Sequence, residues 1–199
     1  PLTNRDEWNI FQDSARGGLL SVAKDSQYVV ARDATALLNQ TPVALSAHSA
    51  GSLWLGMADS LIHMDSNNNS TSFNITGVTA IEIYEGAQGG WVAVIHSEGL
   101  SIAELDLDGS AVGGFYQSVN SSVVMMTRLP DASSTTRLAY LTSSDRLSVL
   151  ELSDSGALVT SWNASQYILD LLIGTDVTSM EHCSISGETG RLWIALDSG

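Results

Sequence analysis

The chain has 199 residues, 44% of them hydrophobic and 15% charged, with 22 acids against eight bases and a net charge of −14. This composition can bury a core and excludes a disordered chain. The acid excess repels a phosphate backbone, so nucleic acid is excluded as a partner, and no apolar run approaches the ~20 residues of a membrane helix. Lys24 is the only lysine and Cys183 the only cysteine, so neither an internal disulfide nor a cysteine-rich metal site can form. Residues Pro1 to Glu7 lack the basic start and apolar segment of a signal peptide. A chain that begins with Pro is expected to be a processed or excised piece.

In chain order, the same unit recurs. Trp8-Asn9-Ile10-Phe11 alternates as a strand does. Gly18 to Ala23, the turn Lys24 to Gln27, and Tyr28 to Asp33 form a first hairpin. A short strand at Val43-Ala44-Leu45 precedes Gly51 to Gly56, the turn Ala58-Asp59-Ser60, and Leu61 to Asp65. Ala80 to Tyr84 precedes Gly90 to Ile95, the turn His96 to Gly99, and the strand Gly99 to Asp106. Asp108-Gly109-Ser110 then turns into Gly114 to Gln117. Val123 to Met126 precedes Arg137 to Thr142, the turn Ser143-Ser144-Asp145, and Leu147 to Leu152; Asp154-Ser155-Gly156 leads to Leu158 to Trp162. Val177 to Ile185 precedes Gly190 to Asp197. Small polar residues fill every turn, which is the chemistry that hairpins require.

Each unit is therefore four short antiparallel strands. Trp54, Trp91, Tyr140 and Trp193 open successive hairpins at spacings of 37, 49 and 53 residues, which bracket the ~40–50 residues of a propeller blade. A repeated four-stranded sheet must cover both faces, and packing blades around an axis does so. The expectation is an all-β β-propeller in one domain over residues 1–199, or a fragment of a larger propeller. It holds about four full blades and a partial one, at 8–40, 41–76, 77–118, 119–163 and 171–199. The four aromatics are expected to fill the space between blades. The last strand, Leu192 to Leu196, is expected to cover its open edge with Trp8 to Phe11, with Leu19 to Ala23, or with a second copy of the chain.

Gly51 to Asp65 resembles the two-component-regulator propeller repeat: a glycine, a Leu-Trp-Ile-Gly-like strand, a turn, then Leu and an aspartate. Gly190 to Gly199 matches its first part. Ser60 stands where the turn glycine is usual and Ala195 where the strand glycine is. The other copies are similar to WD40-like or YVTN-like blades in outline. The resemblance implies a propeller in a secreted, periplasmic or cell-surface protein, often a sensor or binding region, and brings no catalytic residues.

Asn39, Asn68, Asn69, Asn74, Asn120 and Asn163 each stand two residues before Ser or Thr. Nine asparagines among 43 Ser and Thr would produce about two such sites by chance, so the excess points to an exported chain that can carry N-linked sugar. Thr41-Pro42 disfavours Asn39, and Asn68, Asn74, Asn120 and Asn163 are the candidates for glycosylation. Asp65 to Asn69 and Asp106 to Gly109 outline calcium loops but lack a closing glutamate, and turn chemistry accounts for them. His48, His63, His96 and His182 have no ligand spacing. Glu82 and Glu104 are expected to point outward from their strands. No metal, cofactor-binding or catalytic residue is assigned.

The residues support a non-catalytic, extracytoplasmic binding or sensing module that presents loops to a protein, glycan or envelope ligand. Self-association through an open blade edge is a further expectation. A propeller enzyme, a glycan lyase or hydrolase with its site on the axis, is the second reading. A structural spacer within a larger surface protein is the third.

Overall fold

The computed structural model describes residues 9–13, 18–24, 29–33, 42–132, 135–144, 146–163, 177–183 and 191–196. They form seventeen strands in five antiparallel sheets. Blade 1 is β1 (Asn9–Asp13), β2 (Gly18–Lys24) and β3 (Val29–Asp33). Blade 2 is β4 (Ala44–Ala47), β5 (Leu53–Gly56), β6 (Leu61–Met64) and β7 (Ser70–Phe73). Blade 3 is β8 (Ala80–Gly86), β9 (Gly89–His96), β10 (Gly99–Leu105) and β11 (Ala111–Val119). Blade 4 is β12 (Val123–Ala132), β13 (Thr135–Thr142), β14 (Leu147–Leu152) and β15 (Leu158–Asn163). Blade 5 shows β16 (Val177–Cys183) and β17 (Arg191–Leu196).

Within each sheet the strands lie in sequence order. Such a meander needs only tight turns, and these the chain supplies: Ser97-Glu98 joins β9 to β10, with Gly99 opposite His96. Between sheets, β4 lies against β8, β8 against β12 and β12 against β16. The first strands of blades 2 to 5 are thus on the inside of the curve, and β7, β11 and β15 form the outer rim.

Alternation sends the two faces of a strand to two different neighbours. In β9, Val92 and Val94 pack backward with Trp54 and Leu61 of blade 2, and Trp91, Ala93 and Ile95 pack forward with Leu138, Leu150 and Leu152 of blade 4. In β13, Leu138 and Tyr140 face back to blade 3, and Ala139 and Leu141 face forward to Met180, Leu192 and Ile194 of blade 5. This double coverage explains why β9 reads Gly-Gly-Trp-Val-Ala-Val-Ile, with every one of those residues buried.

The expected closure of the last strand onto residues 8–11 or 19–23 is not among the described pairings. β1 bonds to β2, β2 is flanked on both sides by β1 and β3, and β17 bonds to β16. Strands adjacent in sequence close the shortest loops, so each blade completes its local meander first.

Trp91 is fully buried and carries much of the junction between blades 3 and 4. Trp91→Ala is expected to cost about 3–5 kcal/mol, read as a lower urea midpoint at unchanged slope.

Candidate functional site

Each complete blade turns from its third to its fourth strand through the same five-residue loop. In Asp65 to Asn69, Asp106 to Ser110 and Ser153 to Ala157, the backbone N–H of the first residue donates to the carbonyl of the fifth. The N–H of the fourth donates back to the carbonyl of the first. Asp65 Oδ1 accepts from the N–H groups of Asn67 and Asn69, and Asp106 Oδ1 from those of Asp108 and Ser110, all at 2.8–2.9 Å. Hydrogen bonds from the Asn69 side chain and the loop backbone hold the Asp65 carboxyl below its ordinary range. These oxygens are committed to the turn, and no group of three His, Cys, Asp or Glu that could hold a metal gathers among the described residues.

The fourth residue of each loop has a positive φ: Asn68 at 71°, Gly109 at 78° and Gly156 at 81°. In two loops that residue lies against the preceding blade. Trp54 Nε1 donates to the Gly109 carbonyl at 3.0 Å, and a Cβ on Gly109 would meet Ser52 Oγ, and His48 Cγ at 2.7 Å. A Cβ on Gly156 would meet Trp91 Cβ at 2.7 Å. Trp91 Nε1 donates to Thr136 Oγ1 of blade 4 at 2.8 Å, and Thr136 in turn reaches the Leu152 carbonyl. Glycine is required here twice over, for its left-handed backbone and for its missing side chain.

At the junction of blades 2 and 3, Trp54 stacks on Phe73 at 5.5 Å between ring centroids, meets Phe115 edge-on at 5.9 Å, and tilts over His63 at 4.8 Å. His63 is buried, and its Nε2, like Ser52 Oγ, has no hydrogen-bond partner among the described residues. Burial pushes the His63 pKa down, opposed by Asp65 and Asp106 and aided by His48. His96, bonded to Ser101 Oγ at 2.8 Å, is likewise lowered by burial.

The junction of blades 3 and 4 is open on the same end of the molecule. A cleft of about 640 Å³ lies between the β8–β9 turn and the β14–β15 turn, lined by Gln88, Gly89, Gly90, Glu104, Asp154 and Ser155, among others. Tyr84 stacks on Trp91 at 5.7 Å between centroids and directs its hydroxyl to Asp154 Oδ1 at 3.3 Å. Arg128 covers the other side of this inner wall, 5.5 Å from the Tyr84 ring centroid. On the outer rim Tyr116 donates its hydroxyl to the Gly156 carbonyl, and Val112 and Leu158 of the outer strands are exposed. Burial raises the Tyr116 pKa.

Of the four aromatics read from the sequence, Trp54 and Trp91 are fully buried between blades. Tyr140 is half-buried and packs on the blade 3–4 cluster from the opposite face of its strand. Strand register shows why: Trp54 pairs with His63, Trp91 with Glu104, and the equivalent in blade 4 is Arg137, paired with Glu151. Trp193 pairs with Glu181 in β16; its side chain, with those of Cys183 and His182, lies outside the described residues. Asn68, Asn74 and Asn120 are exposed, and the Asn163 side chain is outside the described residues. Glu82 is half-buried and Glu104 exposed. The sequence reading placed Arg137 and Glu151 in strands and Asp154-Ser155-Gly156 in a turn, and assigned none of them, nor Gln88, to a site. Gln88 lies in blade 3 and the others in blade 4, and no spacing within one segment signals a site built across two blades.

No protein-family model matches the chain, and no curated protein matches it. Solved structures do. The WD40 domain of SCAP from fission yeast superposes with a TM-score of 0.61 at 15% identity, over 92% of this chain and 44% of that one. BBS1N, solved in complex with ARL6DN, superposes with a TM-score of 0.53 at 15% identity, over 96% of this chain and 70% of that one. The chain thus spans less than half the length of the SCAP chain. Together with three complete four-stranded blades side by side, these likenesses establish the class: the fold is an all-β propeller. At such low identity it is the fold alone that is shared.

The lowered His63 pKa makes folding stability depend on pH. Above about pH 6.5 the imidazole is neutral in both folded and unfolded chains. As pH falls below that, the unfolded chain takes the proton first and stability is lost. The melting temperature is therefore expected to fall between pH 7 and pH 5, and His63→Gln to fall less steeply over the same range. Equal slopes in the two proteins would refute this assignment.

Proposed function

We propose that this chain is a non-catalytic, protein-binding propeller module that receives its partner on the end of the molecule carrying the β8–β9 and β14–β15 turns. The observation that carries the reading is the cleft between blades 3 and 4. It is concave, mixed in polarity and of the size that takes a peptide side chain or small ligand. Loops on a rigid scaffold are where such binding resides. BBS1N, a propeller of similar fold, is itself captured in a complex with ARL6DN. The test is a displayed random-peptide library panned against the chain, with affinities of purified peptides measured by calorimetry. Peptides that saturate at one site and compete with one another are expected. Failure of every enriched peptide to bind in solution would overturn the reading.

The same proposal places the protein outside the cytoplasm, as an exported or cell-surface component. The sequon excess supports this, as does the exposure of Asn68, Asn74 and Asn120 at loops and turns. Expressed through the secretory route of a host that performs N-glycosylation, the chain is expected to gain endoglycosidase-sensitive mass. Asn74→Gln and Asn120→Gln should each remove one step of it. A secreted chain of unmodified mass would count against the proposal.

A further inference from the structure

Glu104 and Glu151 hold the same place in successive blades. Each precedes the buried leucine that ends the third strand, Leu105 or Leu152, and each faces a residue of the second strand across the sheet. In blade 4 that residue is Arg137, whose Nε donates to Glu151 Oε1 at 2.9 Å. In blade 3 it is Trp91, and the indole turns beneath blade 4 to bond Thr136. Glu104 is left exposed on the wall of the blade 3–4 cleft, with no ion pair among the described residues.

From this internal comparison we infer that the cleft receives an arginine side chain of a partner protein, with Glu104 as its principal acceptor and Asp154 on the opposite wall as the second. The inference rests on the protein-binding reading and deepens it. Blade 4 shows a guanidinium seated on the acid at this position of the repeat. Replacing Arg137 by tryptophan in the equivalent place removes the internal cation and leaves the acid facing a cavity. The lining residues include two carboxylates and no base. Arg128 is held over the Tyr84 ring on the inner wall rather than among the lining groups. Gly89 and Gly90 line the cleft where β9 begins, and the space a side chain would take at either is filled by the carbonyls of Leu105 and Tyr84, so nothing projects from them into the cleft. The planar guanidinium donates a fork of hydrogen bonds that a carboxylate accepts in pairs, which a lysine ammonium does not match. A net charge of −14 also steers a basic segment toward the molecule.

The probe is the capped tripeptide Ala-Arg-Ala, titrated into the isotope-labelled chain and followed by amide chemical shifts. Its citrulline counterpart, equal in shape and uncharged, is the control. Saturable shifts confined to the amides of Gly89, Gly90, Glu104 and Ser153 to Ser155 are expected with arginine and not with citrulline. Glu104→Gln should weaken binding about tenfold. Glu98→Gln, an exposed acid on the β9–β10 turn at the other end of the blade, should leave it unchanged. Equal response to citrulline overturns the assignment, as does an equal loss in both variants or shifts spread over the whole acidic surface. Library peptides that bind without arginine, or that keep their affinity in Glu104→Gln, also overturn it while leaving the protein-binding reading intact.

Discussion

Blades 2 and 3 are each sealed by the blade that follows, and the seal is a tryptophan under a turn. Trp54 reaches the backbone of Gly109 and Trp91 reaches Thr136, each across a blade boundary and each fully buried. An indole has a large apolar body and one donor, so burying it is favourable only where the N–H finds an acceptor. The following blade supplies that acceptor, the Gly109 carbonyl of its turn for Trp54 and Thr136 of β13 for Trp91, and its turn closes over the indole in both cases. The left-handed glycines at 109 and 156 permit the approach, because a side chain there would strike the residues being covered. The turn, the glycine and the tryptophan are therefore one device distributed over two blades.

This device is repeated with variation, and the variation creates the surface chemistry. At the blade 2–3 junction the cross-strand partner of the tryptophan is His63, buried and with its pKa lowered by that burial. At the blade 3–4 junction it is Glu104, exposed at a cleft. In blade 4 the tryptophan itself gives way to Arg137, and the pair becomes a partly exposed ion bridge with Glu151. A bridge of that exposure contributes little to stability, and its value lies in showing which cation the position accepts.

The strands most legible in the amino-acid order were those buried on both faces. The run Gly90 to Ile95 and the run Leu147 to Leu152 are apolar enough to be recognised without any neighbour. The outer rim was less legible. β7, Ser70-Thr71-Ser72-Phe73, is largely exposed and carries no apolar alternation, so only its pairing with β6 reveals it. β11 reaches well beyond Gly114 to Gln117 and bulges between its pairings of Val112 with Glu104 and Tyr116 with Ile102. A bulge adds residues to one strand only and breaks the period that sequence reading relies on. Tyr140 shows the same limit within the core. Expected to match Trp91, it points to the other neighbouring blade, because it stands three residues beyond the equivalent position, Arg137, and an odd step reverses the face.

By itself the sequence determined the repeat, the all-β class, the polar turns and the acidic character, because these follow from local periodicity and composition. Only the tertiary structure decided which residues meet across blades. Gln88 and Asp154 are far apart in the chain and share one cleft, and Glu104 and Glu151 become comparable only once strand register aligns them. Hairpin geometry is a short-range property written in neighbouring residues. A site between blades depends on how sheets pack and twist against each other, and no single segment encodes that.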